Sequence, residues 1–150
     1  GLAADLARQA LEEWGIEKAL IDAGEFNAIG SPEQRDSWHI GVQHPRQLGS
    51  IAKTRLQGRC LSTSGDYASK FSDDYCHHHL LDPRTGLSPV KLSAVSVAAP
   101  TALEADSLST ALFVLGPEKA KEMVESMDLV DALFVSKSGD ITATDGFPLV

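Results

Sequence analysis

Apolar residues at the start of the chain recur at helical spacing. Leu2, Leu6, Ala10, Leu11 and Trp14 share one side, with Asp5, Arg8, Gln9, Glu12 and Glu13 turned away. Gly15 offers a stop, so the spacing predicts an amphipathic helix over 2–14, although no capping residue precedes Leu2. KALIDAG (18–24) reads as a buried strand running into a Gly turn, and SWHIGVQHP (37–45) alternates like a strand that ends at Pro45. IAKTRL (51–56) and RCLSTS (59–64) straddle Gln57-Gly58 and predict a hairpin. DYCHHHLLDP (74–83) predicts a strand entering the turn DPRTG, and LSAVSVAAP (92–100) a further strand closed by Pro100.

The period then changes to that of a helix. Thr101 and Glu104 form a capping box ahead of ALEADSLSTALFVLG. Gly116 ends this helix and Pro117 opens the next, PEKAKEMVESM, as the asymmetry of helix caps prefers. DALFVS (131–136), a Ser-Gly turn and ITAT predict a terminal hairpin. The order is helix, strands, helix pair, hairpin, with no internal repeat or linker. It reads as a single α+β domain with an antiparallel sheet packed against a few helices.

Composition narrows the function. The 150 residues are 43% hydrophobic and 23% charged, enough to bury a core. Thirteen basic against 21 acidic side chains give a net charge of -8, which repels phosphate backbones and argues against a nucleic-acid partner. No apolar run approaches bilayer length, and the opening GLAADLARQALEEWG lacks the regions of a signal peptide. Cys60 and Cys76 are too few for a disulfide framework or an all-Cys zinc site. They read as two thiols or, if they face each other, one bridge. What remains is an acidic, soluble, globular domain.

Three places could carry chemistry. In a strand, His77 and His79 share a face and His78 points the other way, which serves packing and solvation as readily as chemistry. Two same-face imidazoles without a third ligand make a poor zinc site. The turn Asp82-Pro83-Arg84-Thr85-Gly86 reverses the chain and also sets a carboxylate beside the histidines, the usual composition of a general base. On the helix, Asp106 and Thr110 lie one turn apart on the polar side, opposite Leu108, Ala111, Leu112 and Leu115. Alone they would complement the helix dipole and bond back to the helix. Together their oxygens suit a hard cation such as Mg²⁺ that also binds substrate phosphates. The Gly loops around Gly24 and Gly65 match no phosphate-binding fingerprint.

Taken in order, IDAGEFNAIG with WHIGVQHP, STSGDY, HHLLDPRTG and AAPTALEADSLSTALFVLG resemble the ApbE-type flavin transferases, also called FAD:protein FMN transferases. GLAAD is similar to the end of the family's Lys-Gly motif before a helix. The resemblance implies the C-terminal part of a usual member. The N-terminal half, absent here, would hold much of the flavin pocket and a backbone carbonyl for the metal. It implies Mg²⁺-assisted cleavage of FAD, attachment of FMN to a Thr or Ser hydroxyl of an acceptor protein, and release of AMP. The alternative is a module that binds or delivers flavin without transferring it. By position, Asp106 and Thr110 match the metal pair and His79 the histidine that activates the acceptor hydroxyl. Leu80 falls on the segment beside FAD, and Asp82 and Arg84 belong to the turn that shapes the site. Glu25 and Phe26 depart from the usual loop, and His77 is an extra histidine. The resemblance further implies export to the periplasm, often as a lipoprotein. An apolar face left by the absent half would invite self-association or a complementary partner.

Overall fold

A computed structural model describes residues 1–150. In chain order the elements are α1 (Leu2–Glu13), β1 (Ala19–Asp22), β2 (Phe26–Ile29), β3 (Trp38–Gln43), β4 (Ser50–Leu56), β5 (Cys60–Gly65), β6 (Leu92–Ala99), α2 (Ala102–Leu115), α3 (Pro117–Glu125), β7 (Asp131–Ser136) and β8 (Ile141–Ala143). Six strands form one antiparallel sheet in the order β1-β2-β5-β6-β7-β8, and β3 with β4 forms a second, two-stranded sheet. The α+β reading holds. No helix is long and apolar enough to cross a membrane.

The large sheet is covered on both faces, which explains the unbroken apolar and small residues of β6. Val95, Val97 and Ala99 point to one side, where they meet Cys60 of β5 and the helix residues Ala105, Leu112 and Phe113. Ala94 and Ala98 point to the other, against Leu61, Leu133, Ile40 and Leu56. The small sheet is thus a lid over the second face, and its own alternation (Ile40 and Val42 buried, His39, Gly41 and Gln43 exposed) is that of a one-sided strand pair.

Two expectations differ, and one strand was not foreseen. The segments 51–56 and 59–64 are strands but not a hairpin: β4 pairs with β3, whereas β5 pairs with β2 and β6. The chain crosses between sheets at Gly58, whose φ of 66° suits a glycine. Residues 74–83 form no strand. They belong to an irregular excursion between β5 and β6, touched only by isolated bridges Lys70–His78 and Asp82–Leu87. The strand β2, in turn, follows directly from the Gly24 turn and pairs with β1, a short return that four residues barely signal.

The helix α1 forms as its spacing predicts but faces the other way. Leu2, Leu6 and Trp14 are 56%, 57% and 81% exposed, while the inward side carries Ala4, fully buried, with Asp5, Arg8 and Leu11 partly covered. The reason is backbone demand. The Asp5 carboxylate accepts from the amides of Ala102 (2.8 Å) and Leu103 (2.9 Å) at the start of α2, and from Asn27 Nδ2 of β2 (2.9 Å). Thr101 and Glu104 complete the capping box, so all the leading amides of α2 are satisfied. This close approach needs a residue without a side chain at Gly1, where a Cβ would sit 2.6 Å from Leu103 Cα.

Asp5 is therefore a helix cap supplied from another helix. Asp5→Ala should cost about 1–2 kcal/mol, as for the loss of an N-cap. Urea denaturation checks this, and an unchanged midpoint would show that the first turn of α2 stands without it.

Candidate active site

The side of α2 that meets the sheet is Ala102, Ala105, Ser109, Leu112 and Phe113, all buried. Small residues in the first half let the helix sit close to β5. Of the positions expected on the apolar side, Leu112 is buried and Leu108 and Leu115 are half-buried, but Ala111 is exposed. Phe113 and Ser109 take its place because the helix beds on its first half through small residues and on its second through large ones. Asp106 and Thr110 flank this strip, half-buried and exposed respectively.

Both lie against the helix-facing side of β5. Ser62 and Ser64 alternate onto that side, with Thr63 turned to pair with Ser96 on the other (2.7 Å). Ser62 Oγ lies 3.5 Å from Asp106 Oδ1, while Ser64 Oγ is 2.9 Å from Thr110 Oγ1 and 2.8 Å from Ser109 Oγ. Sequence reasoning missed both serines, although period-two alternation in STS was the signal that could have found them.

Glu25, at the turn before β2, was also missed. It is buried, and its carboxylate and that of Asp106 converge on the Gly1 nitrogen, which lies 2.9 Å from Asp106 Oδ2. No cluster of three or more His, Cys, Asp or Glu is arranged to hold a metal. The donor set is one carboxylate and one hydroxyl a helical turn apart, with Glu25 nearby. That fits a hard cation whose remaining ligands are water and substrate oxygens, not one held in an all-protein cage.

Beside Thr110 runs a cleft of about 500 Å³ between the turn 81–84 and the outer side of α2. Leu81, Asp82, Pro83 and Arg84 face Thr110, Ala111 and Val114 across it, and its walls are mainly apolar. The turn is rigid by its own bonds. Arg84 grips Asp82 through its guanidinium (2.7–3.2 Å) and its amide (2.9 Å), and the Thr85 and Gly86 amides donate to the Asp82 carbonyl. The guanidinium first, then the amide, holds the Asp82 carboxyl down at about 2. Asp82 is thus spent on the turn and is not the partner of a histidine, contrary to the sequence-based pairing.

The histidines alternate in burial even without a strand: His77 and His79 are exposed and His78 is fully buried. His79 is anchored by its amide to Ser69 O (3.0 Å), and its ring makes no hydrogen bond within the chain. It does not line the cleft, nor does Asp106. Leu80 puts its side chain into the core with Val95 and Phe113, so it walls no ligand space. His78 packs edge-on against Phe113 at 5.4 Å and bonds Pro89 O through Nε2 at 3.0 Å, leaving Nδ1 without a partner. Both thiols are free, and burial pushes Cys60 up to about 12.

The excursion that carries the turn is tied down at its root. Asp66, wholly buried, accepts from Arg46 at 2.7 Å through both oxygens and from Lys137, while Arg46 stacks on Tyr75 at 3.8 Å. Lys137 also donates to the Tyr75 carbonyl.

Paired oxygens on α2, a hydroxyl-lined strand and a rigid DPRTG turn on one α+β scaffold define the class of protein this chain represents. Residues 1–134 match the model of the ApbE family, and the chain belongs to that family. A FAD:protein FMN transferase of Escherichia coli strain K12 is 38% identical over 146 residues, covering 93% of this chain and 41% of that protein. One from Treponema pallidum is 33% identical, covering 97% and 44%. The crystal structure of the ApbE protein of Thermotoga maritima matches with a TM-score of 0.87 at 32% identity, over 97% of this chain and 48% of that one. The apo flavinyl transferase ApbE of Pseudomonas stutzeri matches at 0.79 and 36%, over 96% and 46%. The chain therefore spans less than half the length of these relatives.

Burial lowers the pKa of His78, so the folded chain holds it neutral where the unfolded chain takes up a proton. Unfolded chains then bind more protons below about pH 6.5, and stability falls as pH drops through that value. His78→Gln should flatten the slope between about pH 5 and 6.5 in urea titrations. An unchanged slope would show that His78 is not its source.

Proposed function

We propose that this chain is the part of a flavin transferase that cleaves the pyrophosphate of FAD and places FMN on a Thr or Ser hydroxyl of an acceptor protein, releasing AMP. The observation that carries the reading is the pair Asp106 and Thr110, set one turn apart on α2 with Thr110 at the edge of an apolar cleft, within a chain of this family. Asp106 and Thr110 would hold Mg²⁺, which supplies charge neutralisation at the phosphate oxygens.

Electrostatics supports that need. The chain has a net charge of -8, and the amides at the start of α2 are already taken by Asp5 and Thr101. The helix terminus therefore offers no anion site, and a dianionic pyrophosphate requires another source of positive charge. The cleft, at about 500 Å³, lies in the range of small-molecule sites, and its apolar walls suit a flat ring system.

His79 takes the acceptor's proton in this reading: it is exposed, its backbone is fixed, and its ring is free to accept. The Asp82–Arg84 pair holds rigid the turn that walls one side of the cleft. Export to the periplasm belongs to the same reading by resemblance.

The test is FAD turnover in the intact protein with Mg²⁺ and an acceptor. Asp106→Ala should lower AMP release and FMN transfer by about a hundredfold or more while leaving thermal melting near wild type. His79→Ala should lower transfer more than it lowers FAD affinity. Full activity of Asp106→Ala would overturn the metal assignment, and a yellow protein that releases no AMP would make it a flavin carrier.

A further inference from the structure

The hydroxyl groups between α2 and β5 have a fixed direction. Ser109 Oγ lies 2.9 Å from the carbonyl oxygen of Asp106, which only accepts, so Ser109 spends its single proton there. In its 2.8 Å contact with Ser64, Ser109 must then accept and Ser64 donate. Ser64 has no second proton, so in its 2.9 Å contact with Thr110 the donor is Thr110. The chain of bonds runs one way, from Thr110 to Ser64 to Ser109 to the Asp106 carbonyl.

The consequence falls on Thr110 Oγ1. Its hydrogen points at the strand, and both lone pairs are left free on the side away from β5. A hydroxyl that ligates a cation must present a lone pair and keep its proton out of the way. Left alone on a helix, a threonine turns its proton back to a carbonyl one turn earlier or to water, and samples several rotors.

We infer that Ser64 is a positioning residue, which holds the Thr110 hydroxyl as a pure acceptor for a divalent cation, with Ser109 locking Ser64 in turn. This rests on the reading of Asp106 and Thr110 as cation ligands. Ser64 itself touches no substrate in this scheme. It acts through Thr110, and its position on β5 follows from the alternation that also puts Ser62 beside Asp106.

The probe is Mn²⁺ alone, titrated into the intact protein and followed by paramagnetic broadening of the amide signals of Asp106 and Thr110. Ser64→Ala should weaken Mn²⁺ affinity about five- to tenfold, the scale of one misdirected hydrogen bond, with thermal melting nearly unchanged. Ser64→Thr keeps the hydroxyl and should keep most of the affinity, a rescue that a purely structural role would not predict from a melting curve. Ser109→Ala frees the Ser64 proton to turn onto Thr110 Oγ1 and should also weaken binding, which carries the test if Ser64→Ala fails to fold. Asp106→Ala should abolish broadening. If it does so while Ser64→Ala and Ser109→Ala bind like wild type, the role of Ser64 is overturned and the cation reading stands. Broadening that survives Asp106→Ala, or is missing in the wild type, overturns both.

Discussion

The carboxylate of Asp5 fixes where the second helix begins. It accepts the first two amides of α2 and the side chain of Asn27, so one group joins α1, β2 and α2 at a point where backbone donors would otherwise be unpaired. Every side chain of the site on α2 is indexed from that turn. Asp106 and Thr110 reach Ser62 and Ser64 only because the helix starts at Ala102 and beds on alanines and a serine. The same bond turns α1 around. Placing Asp5 inward puts Leu2, Leu6 and Trp14 on the outer side of that helix.

The second constraint is the excursion from Asp66 to Lys91, which has almost no ladder hydrogen bonds and still presents a rigid turn to α2. Buried charge holds it. Asp66 has no exposure, and stripping one partner from a buried pair of this kind costs about 3–5 kcal/mol. Arg46 comes from the end of the small sheet and Lys137 from the turn after β7, so the two sheets and the excursion meet on one carboxylate. Further along, His78 and Leu80 enter the core beside Phe113, and Asp82 closes the turn on Arg84. His79 is left outside between two buried neighbours. Its exposure follows from theirs.

Charge organises the chemistry as well. An acidic chain with a capped helix end has little to offer a phosphate directly. Its resource is acidic and hydroxylic oxygen: Asp106, Glu25, Thr110 and the serines of β5. In the proposed reading such a surface would recruit a hard cation, and the cation would meet the phosphate. The hydroxyl row between β5 and α2 serves packing and chemistry together, since the small residues that let helix and strand approach also bond to one another and fix their protons.

The sequence by itself determined the elements whose signals are local. The capping box at Thr101, the Gly116-Pro117 break, the unbroken small and apolar run of β6 and the terminal hairpin were all legible, because caps, prolines and burial on two faces leave marks within a few residues. The motifs around Asp82 and Asp106 were legible as a family resemblance. Tertiary structure decided the rest. It sent β4 and β5 to different sheets, since a turn at Gly58 says only that the chain bends. It turned α1 over, because the amides that Asp5 satisfies lie about a hundred residues away in sequence. It denied residues 74–83 a strand by anchoring them through side chains instead of a ladder. The direction of the Thr110 hydroxyl was decided there too, because a proton's orientation depends on which acceptors the fold brings within reach.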